Sequence, residues 1–178
     1  MQNWAPNAVR LSIAVPLFLL LCGCDRGSRP GQIGAVAPDF TVQDSERTVH
    51  LAALRGRLVV LNFWASYCAP CLDELPSLVA MQKRMGERVL VLAVSEDKSE
   101  SEYRQFLRDH NISLFSVYDE QSTGNRLYST TGIPESFVID SSGVMRRRFI
   151  GPVDWLNPEV LDYLDKLSRG QPAERAAN

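Results

Sequence analysis

The sequence has few cysteines, few histidines and no excess of positive charge. Its 178 residues include four Cys and two His, and 19 Lys plus Arg stand against 21 Asp plus Glu. A weakly acidic chain has no basic face to offer, so nucleic acid is not expected as a partner. No internal repeat, Gly-rich phosphate loop or metalloprotease motif is present. Disulfide stapling is not required either, because a chain of this size with 45% hydrophobic residues can bury a full core.

A long hydrophobic run is missing as well. The most apolar stretch, residues 11–21, has eleven residues, whereas a helix needs about 20 to cross a bilayer. It follows the charged Arg10 and ends in Leu21-Cys22-Gly23-Cys24, which resembles the bacterial lipobox. We therefore expect residues 1–23 to be a lipoprotein signal peptide and Cys24 to carry the lipid anchor.

Two alternatives for this segment stay open: a plain signal peptide, or an uncleaved anchor in which Cys22 and Cys24 are free thiols. Asp25 after the lipidated Cys resembles the signal that retains lipoproteins in the inner membrane of some Gram-negative bacteria. The expected location is therefore the inner (cytoplasmic) membrane, facing the periplasm. Cleavage would leave 155 residues, 18 basic against 21 acidic, which is the size of one domain. Residues 24–37, rich in Gly and small side chains, are expected to form a tether.

Hydrophobic patterning then predicts one α/β domain over residues 38–169, followed by a flexible tail over 170–178. The predicted elements, in chain order, are a hairpin (38–42 and 48–51), a buried strand (57–64), a helix from 68 to about 85, a buried strand (88–95), a helix (about 99–110), a short strand (114–118), a short helix (122–130), an antiparallel pair (135–140 and 144–150) and a last helix capped by Asn157. This order predicts a mixed central sheet flanked by helices.

Cys68-Ala69-Pro70-Cys71 is the segment that carries chemistry. Cys68 is expected to open a helix, where unpaired backbone N–H groups and the helix dipole favour a thiolate. Pro70 fits the first helical turn, where its missing N–H costs nothing. Cys71, one turn later, is expected to be more buried. The spacing therefore predicts an exposed nucleophile at Cys68 and a resolving thiol at Cys71.

A bare pair of cysteines at this spacing has other interpretations. It could be half of a structural zinc site, but such a site needs four ligands, and His50 and His110 are isolated from the motif. It could also be a static disulfide. The residues of the motif alone leave these alternatives open.

The surrounding sequence resembles the thioredoxin superfamily. The resemblance covers roughly residues 36–168 and is carried by residues 63–71, by Pro76 and by Gly132-Ile133-Pro134, which is similar to the cis-proline loop of that fold. Pro38-Asp39-Phe40 and residues 71–76 resemble the TlpA/ResA/CcmG group of membrane-anchored thiol-disulfide oxidoreductases. The resemblance implies a thioredoxin fold with an N-terminal β-hairpin extension.

Three positions depart from cytoplasmic thioredoxin. Asn62 stands where thioredoxin has a buried Asp that deprotonates the second Cys, and Asn cannot accept a proton. The TlpA-like group instead has a Glu three residues after that Cys, and the matching Glu74 is therefore expected to act on the pair. The alternative is a solvated Glu on the helix surface. Tyr67 replaces the more usual Trp beside the first Cys and is expected to cover one side of it.

The resemblance also predicts how a substrate is held. The Ile133–Pro134 bond is expected to be cis, although only about 5–6% of such bonds are. The backbone at Ile133 would pair with an extended substrate segment. Trp64, Tyr67 and Pro70 are expected to belong to the same substrate-binding site, with Trp64 packed beneath the motif.

The resemblance implies a protein-disulfide reductase that acts on exported proteins. Its electrons would come from a membrane thiol-electron transporter of the DsbD/CcdA type. The redox-active Cys68–Cys71 disulfide would suffice, so no prosthetic group and no metal are expected. By analogy, its duty would be to keep the haem-binding cysteines of apocytochrome c reduced.

Three other functions have less support in the sequence than a disulfide reductase. A peroxiredoxin-like peroxidase would have a Thr at position 65, where this chain has Ala65. A disulfide-forming oxidase would need a large helical insertion, for which residues 95–136 leave no room. A copper-delivery protein could use Cys68 and Cys71 as soft ligands, but it would usually add a His or Met near them.

Overall fold

A computed structural model describes residues 1–2 and 32–171. In chain order it contains β1 (Thr41–Gln43), β2 (Thr48–His50), β3 (Leu58–Trp64), α1 (Ala69–Met85), β4 (Val89–Ser95), α2 (Glu100–Asp109), β5 (Phe115–Tyr118), α3 (Thr123–Tyr128), β6 (Glu135–Ile139), β7 (Met145–Ile150) and α4 (Pro158–Ser168). Short 3₁₀ turns follow β2 and α1. Cys24 and the expected signal peptide lie outside the described residues, apart from residues 1 and 2.

The central sheet has five strands in the order β5-β4-β3-β6-β7. The pairs β3–β4 and β4–β5 are parallel, whereas β3–β6 and β6–β7 are antiparallel. β1 and β2 form a separate antiparallel hairpin. The predicted mixed sheet with an N-terminal hairpin is therefore confirmed.

The continuous apolar sequence of β3 follows from burial on both faces. Val60 and Trp64 contribute to the core beneath α1, α2 and α4, whereas Leu61 and Phe63 contribute to the core beneath α3 and the hairpin. Successive side chains of a strand point to opposite faces, so a central strand covered on both sides is apolar throughout. Asn62 shares the α1 face with Val60 and Trp64, and is the exception to that pattern.

Local sequence signals set the ends of α1. Cys68 is its N-cap residue, Pro70 lies in its first turn, and Gly86 ends it with φ of 58°. Positive φ is readily adopted by glycine, which explains why the helix stops there. In the described part of the chain, no helix is both long and apolar enough to span a membrane.

The segment before β1 is attached to the sheet. Gly34 N donates to Met145 O (2.8 Å), Met145 N donates to Ala35 O (2.9 Å), and Ala37 N donates to Gly143 O (2.8 Å). Ala37 is also buried against the hairpin core. Sequence reasoning places these residues in the tether. The folded part of the chain thus begins several residues before Pro38.

Candidate active site

The two cysteines lie where β3 passes into α1 and are joined by a disulfide. Their Sγ atoms are 2.09 Å apart and their Cα atoms 5.2 Å apart. The backbone N–H of Cys71 points at Cys68 Sγ, 3.3 Å away. Cys68 is 8% exposed and Cys71 is 3% exposed. The expectation that Cys71 is the more buried of the two is confirmed, whereas the expectation of an exposed Cys68 is wrong, because the disulfide-bonded residue is largely covered. An N–H donor and a helix N-terminus at Cys68 favour a negative charge on that sulfur.

Asp97 holds the turn that carries Cys68. Its Oδ1 accepts hydrogen bonds from Ser66 N (3.0 Å) and Ser66 Oγ (2.5 Å), and its Oδ2 accepts one from Ser95 Oγ (2.6 Å). Sequence analysis did not identify Asp97. Its position two residues after a buried parallel strand was the available signal, because the carboxyl ends of parallel strands meet at one edge of the sheet.

The cis-proline loop faces the disulfide. The Ile133–Pro134 peptide bond is cis, which confirms the prediction. The carbonyl oxygen of Ile133 lies 3.6 Å from Cys68 Sγ. Pro134 O accepts a hydrogen bond from Gly151 N (3.0 Å), which ties the loop to the segment after β7. The backbone at Ile133 is therefore next to the sulfur that a substrate would approach.

The other predicted surface residues divide into two groups. Tyr67 is 58% exposed, its hydroxyl lies 3.4 Å from Glu96 O, and the ammonium of Lys98 lies 5.8 Å from its ring centre. Pro70 is also exposed. Trp64 is buried and packs against the rings of Tyr103 and Phe106, so its side chain supports the motif from below and does not face a substrate.

Glu74 is buried on α1, three residues after Cys71. It is 3% exposed, so the alternative of a solvated surface Glu is wrong. Burial raises the pKa of this carboxyl to about 7, while hydrogen bonds from Trp155 and Val153 lower it in part. A carboxyl with this pKa exchanges its proton near neutral pH, as a general acid or base requires.

Three donors surround the Glu74 carboxyl. Oε1 accepts from Trp155 Nε1 (2.6 Å) and from Asn62 Nδ2 (3.2 Å), and Oε2 accepts from Val153 N (3.3 Å). Asn62 also donates to Ser136 Oγ (2.9 Å). Asn62, which stands where thioredoxin has an Asp, is therefore a hydrogen-bond donor to the Glu74 carboxyl.

The histidines lie apart from this site. His50 Nε2 is 2.7 Å from Asp39 Oδ2 on the hairpin, and the His110 ring stacks on Phe106 at the end of α2. Among residues 1–2 and 32–171, no group of three or more His, Cys, Asp or Glu side chains could hold a metal ion.

The chain is similar to known proteins both in sequence and in structure. The AhpC/TSA family model matches residues 33–148. The thiol-disulfide oxidoreductase ResA of Bacillus thuringiensis is 30% identical over 156 residues, which cover 85% of this chain and 87% of that protein. A Chlorobium tepidum structure, provisionally described as the thiol:disulfide interchange protein DsbE, superposes with a TM-score of 0.67 at 28% identity and covers 78% of this chain and 96% of its own.

A second solved structure is the pneumococcal exposed lipoprotein thioredoxin of Streptococcus pneumoniae. It superposes with a TM-score of 0.64 at 25% identity and covers 73% of this chain and 100% of its own. The family match spans both the disulfide and the cis-proline loop. The chain belongs to the AhpC/TSA family and, within it, to the thioredoxin-fold thiol-disulfide oxidoreductases.

Proposed function

We propose that this protein is a lipid-anchored reductase of disulfides in other exported proteins. Cys68 is the nucleophile, Cys71 is the resolving thiol and Glu74 is the proton acceptor. The observation that carries the proposal is the Cys68–Cys71 disulfide at the N-terminus of α1, with the buried Glu74, whose pKa is raised to about 7, three residues after Cys71 on the same helix. The two sulfurs carry the electrons, so no prosthetic group takes part.

The reaction has two exchange steps. The Cys68 thiolate attacks one sulfur of the target disulfide, forms a mixed disulfide and releases the other target sulfur as a thiolate. Cys71 then gives its proton to Glu74, attacks Cys68 Sγ and closes the Cys68–Cys71 bond. The second target sulfur leaves as a thiolate and takes a proton from water. Two electrons pass to the target in all, and the oxidised pair is the state that the structure contains.

The exposed rim around Cys68 is the proposed substrate-binding surface. Tyr67 and Pro70 present exposed side chains, and the backbone at Ile133 lies beside Cys68 Sγ in the loop that is fixed by Pro134. An extended substrate strand that pairs with this backbone gains affinity from main-chain hydrogen bonds with little sequence specificity. This arrangement fits an enzyme with several protein substrates.

The proposed location is the outer face of the cytoplasmic membrane, with Cys24 as the lipidated residue. The lipobox-like sequence supports it, and so does the superposition on a protein described as an exposed lipoprotein. Thiols outside the cytoplasm do not stay reduced without an electron supply. A membrane thiol-electron transporter of the DsbD/CcdA type is the proposed donor, and apocytochrome c is the proposed target.

Trapping of the mixed disulfide tests this function. In the variant Cys71→Ser, the nucleophile attacks but the resolving step is blocked, so targets stay linked to Cys68. Cys68→Ser is the matched control, because it keeps the second thiol and lacks the nucleophile. We expect reducible adducts of exported proteins in the first variant alone. Equal adducts in both variants would contradict the assignment of Cys68. The absence of apocytochrome c among the adducts would overturn only the proposed role in cytochrome maturation.

A further inference from the structure

The hydrogen bonds to Glu74 are distributed unequally between its two oxygens. Each carboxylate oxygen has two lone pairs. Both lone pairs of Oε1 are occupied, since Trp155 and Asn62 donate to it, whereas Oε2 accepts one bond from the described residues, the longer one from Val153 N. A proton that binds this carboxyl therefore goes to the free lone pair of Oε2.

Trp155 is held firmly in its place. Its side chain is fully buried, and its ring packs against Phe149 with centroids 5.4 Å apart. Its backbone N donates to Ser77 Oγ (3.1 Å), and that hydroxyl lies 2.9 Å from Glu74 O and 3.3 Å from Val153 O. The segment after β7 is thus tied to α1 at two positions, and the indole N–H has a fixed direction.

We infer that Trp155 is a positioning residue for the resolving step: its indole N–H fixes Glu74 Oε1, so that Oε2 takes the proton of Cys71. The inference rests on the proposed role of Glu74 as proton acceptor and adds a residue to it. Cys71 lies three residues before Glu74 on the same helix, so the two side chains occupy one face of α1. When the indole holds the carboxyl in one orientation, Oε2 does not have to rotate into place before it accepts the proton of Cys71.

Other ionisable groups do not account for the behaviour of this carboxyl. The neighbouring elements carry Asp73 on α1, Asp154 after β7 and Glu135 on β6. Asp73 is exposed, Asp154 Oδ1 accepts from Leu156 N, and Glu135 pairs with Arg148. Among the described residues, burial and two hydrogen bonds are the causes of the shifted pKa, and no charged neighbour contributes to it.

The variant Trp155→Phe tests the inference, because it keeps a buried ring and removes the N–H donor. A hydrogen bond to a charged group favours the ionised form, so its loss raises the pKa of Glu74 by about one unit. We expect carboxyl-carbon NMR of the oxidised, full-length protein to show this shift. We also expect mixed-disulfide release to slow several-fold near pH 7 and to recover at about pH 9.

Phe149→Leu is the matched control, since it disturbs the packing of Trp155 and removes no donor from Glu74. It should lower stability and leave the pH profile of release unchanged. If Trp155→Phe slows release equally at every pH, or leaves the Glu74 titration unchanged, the indole has only a packing role and the inference is overturned. If Glu74→Gln keeps the wild-type profile, the proposed role of Glu74 itself fails, which is a separate result.

A measurement on the wild type covers the case in which Trp155→Phe does not fold. The indole N–H resonance of Trp155 should shift with pH and show the same midpoint as the Glu74 carboxyl carbon. An indole resonance that stays constant between about pH 5 and pH 9 would overturn the inference without any variant.

Discussion

Glu74 combines two properties that are costly to hold together, since it is buried in the core and it ionises near neutral pH. Burial disfavours the carboxylate, and the hydrogen bonds from Trp155 and Val153 offset only part of that cost. The structure retains this carboxyl at 3% exposure beside the disulfide. The proposed function in proton transfer gives a reason for a buried acid at this position in place of an apolar residue.

The raised pKa of Glu74 makes stability depend on pH. In the unfolded chain the carboxyl ionises near 4.5, and in the folded protein near 7. Between these values the native state holds a proton that the unfolded state has lost, so the free energy of unfolding falls as pH rises. We expect the oxidised wild type to lose on the order of 2–3 kcal/mol between about pH 5 and pH 8.

The variant Glu74→Gln should remove most of this slope, because a neutral amide carries no ionisation cost. Denaturant unfolding of both proteins at several pH values measures the effect. At pH 5 the two should have similar stability, and at pH 8 the variant should be the more stable one. A variant that is less stable than the wild type at pH 8 would contradict the buried, shifted carboxyl.

Sequence reasoning reached Glu74 but not its surroundings. Glu74 was expected because the TlpA-like group, which this chain resembles, has a Glu three residues after its second Cys. Trp155 and Val153 reach the carboxyl from about 80 positions further along the chain. No local pattern indicates such a contact, because it depends on how the segment after β7 packs against α1.

The short helix α3 packs closely against the sheet. Gly124 lies on its buried side, and a Cβ atom placed there would meet Phe63 Cε1 at 2.7 Å. Phe63 belongs to an aromatic cluster with Tyr128 and Phe137, so its ring has little room to move. The glycine is needed for close approach of helix and strand.

Gly124→Ala should therefore destabilise the protein, although alanine is the better helix former by about 1 kcal/mol. We expect a loss of about 1–3 kcal/mol in thermal or denaturant unfolding, since the added methyl group overpacks the core. Gly132→Ala is the comparison, because a Cβ there meets nothing within 4 Å. Equal stability of both variants and the wild type would show that the helix can shift away from Phe63.

Single strands and helices were easier to predict than the contacts between segments that are distant in the sequence. The apolar runs of β3 and β4, the Cys68 cap and the Gly86 stop lie within short windows, and each predicted an element that the structure contains. The hydrogen bonds of residues 34–37 were not predicted, because small residues and glycines have the same composition in a tether and in an edge segment. Whether residues 34–37 form a tether or an edge segment depends on the position of the β6–β7 hairpin in the fold.

In the whole molecule, residues 34–37 lie between the proposed lipid anchor at Cys24 and the catalytic domain. Their three backbone hydrogen bonds lie on β7 and the turn before it, an edge of the sheet, and they add a short pairing there. A chain that begins at Gln32 keeps these contacts, and one that begins at Pro38 lacks them. The folded domain and the proposed lipid anchor at Cys24 are then separated by about ten residues.

We expect the chain that begins at Pro38 to be less stable than the one that begins at Gln32 by about 1.5–4.5 kcal/mol, since it lacks three hydrogen bonds and each contributes about 0.5–1.5 kcal/mol net. Chemical denaturation of the two oxidised chains measures the difference, and both should reduce a model disulfide at similar rates. Identical unfolding curves would show that the segment is not attached in solution.

The alkylation rate of Cys68 tests whether this thiol is an activated nucleophile. In the reduced protein, the rate at which iodoacetamide alkylates Cys68 can be followed against pH by mass spectrometry of the Cys68 peptide. The same peptide in the denatured chain is the reference, with a thiol pKa of about 8.5. The helix N-terminus and the N–H of Cys71 should place the folded midpoint clearly below the reference. A midpoint equal to or above that of the denatured chain would show that the fold does not activate the Cys68 thiol.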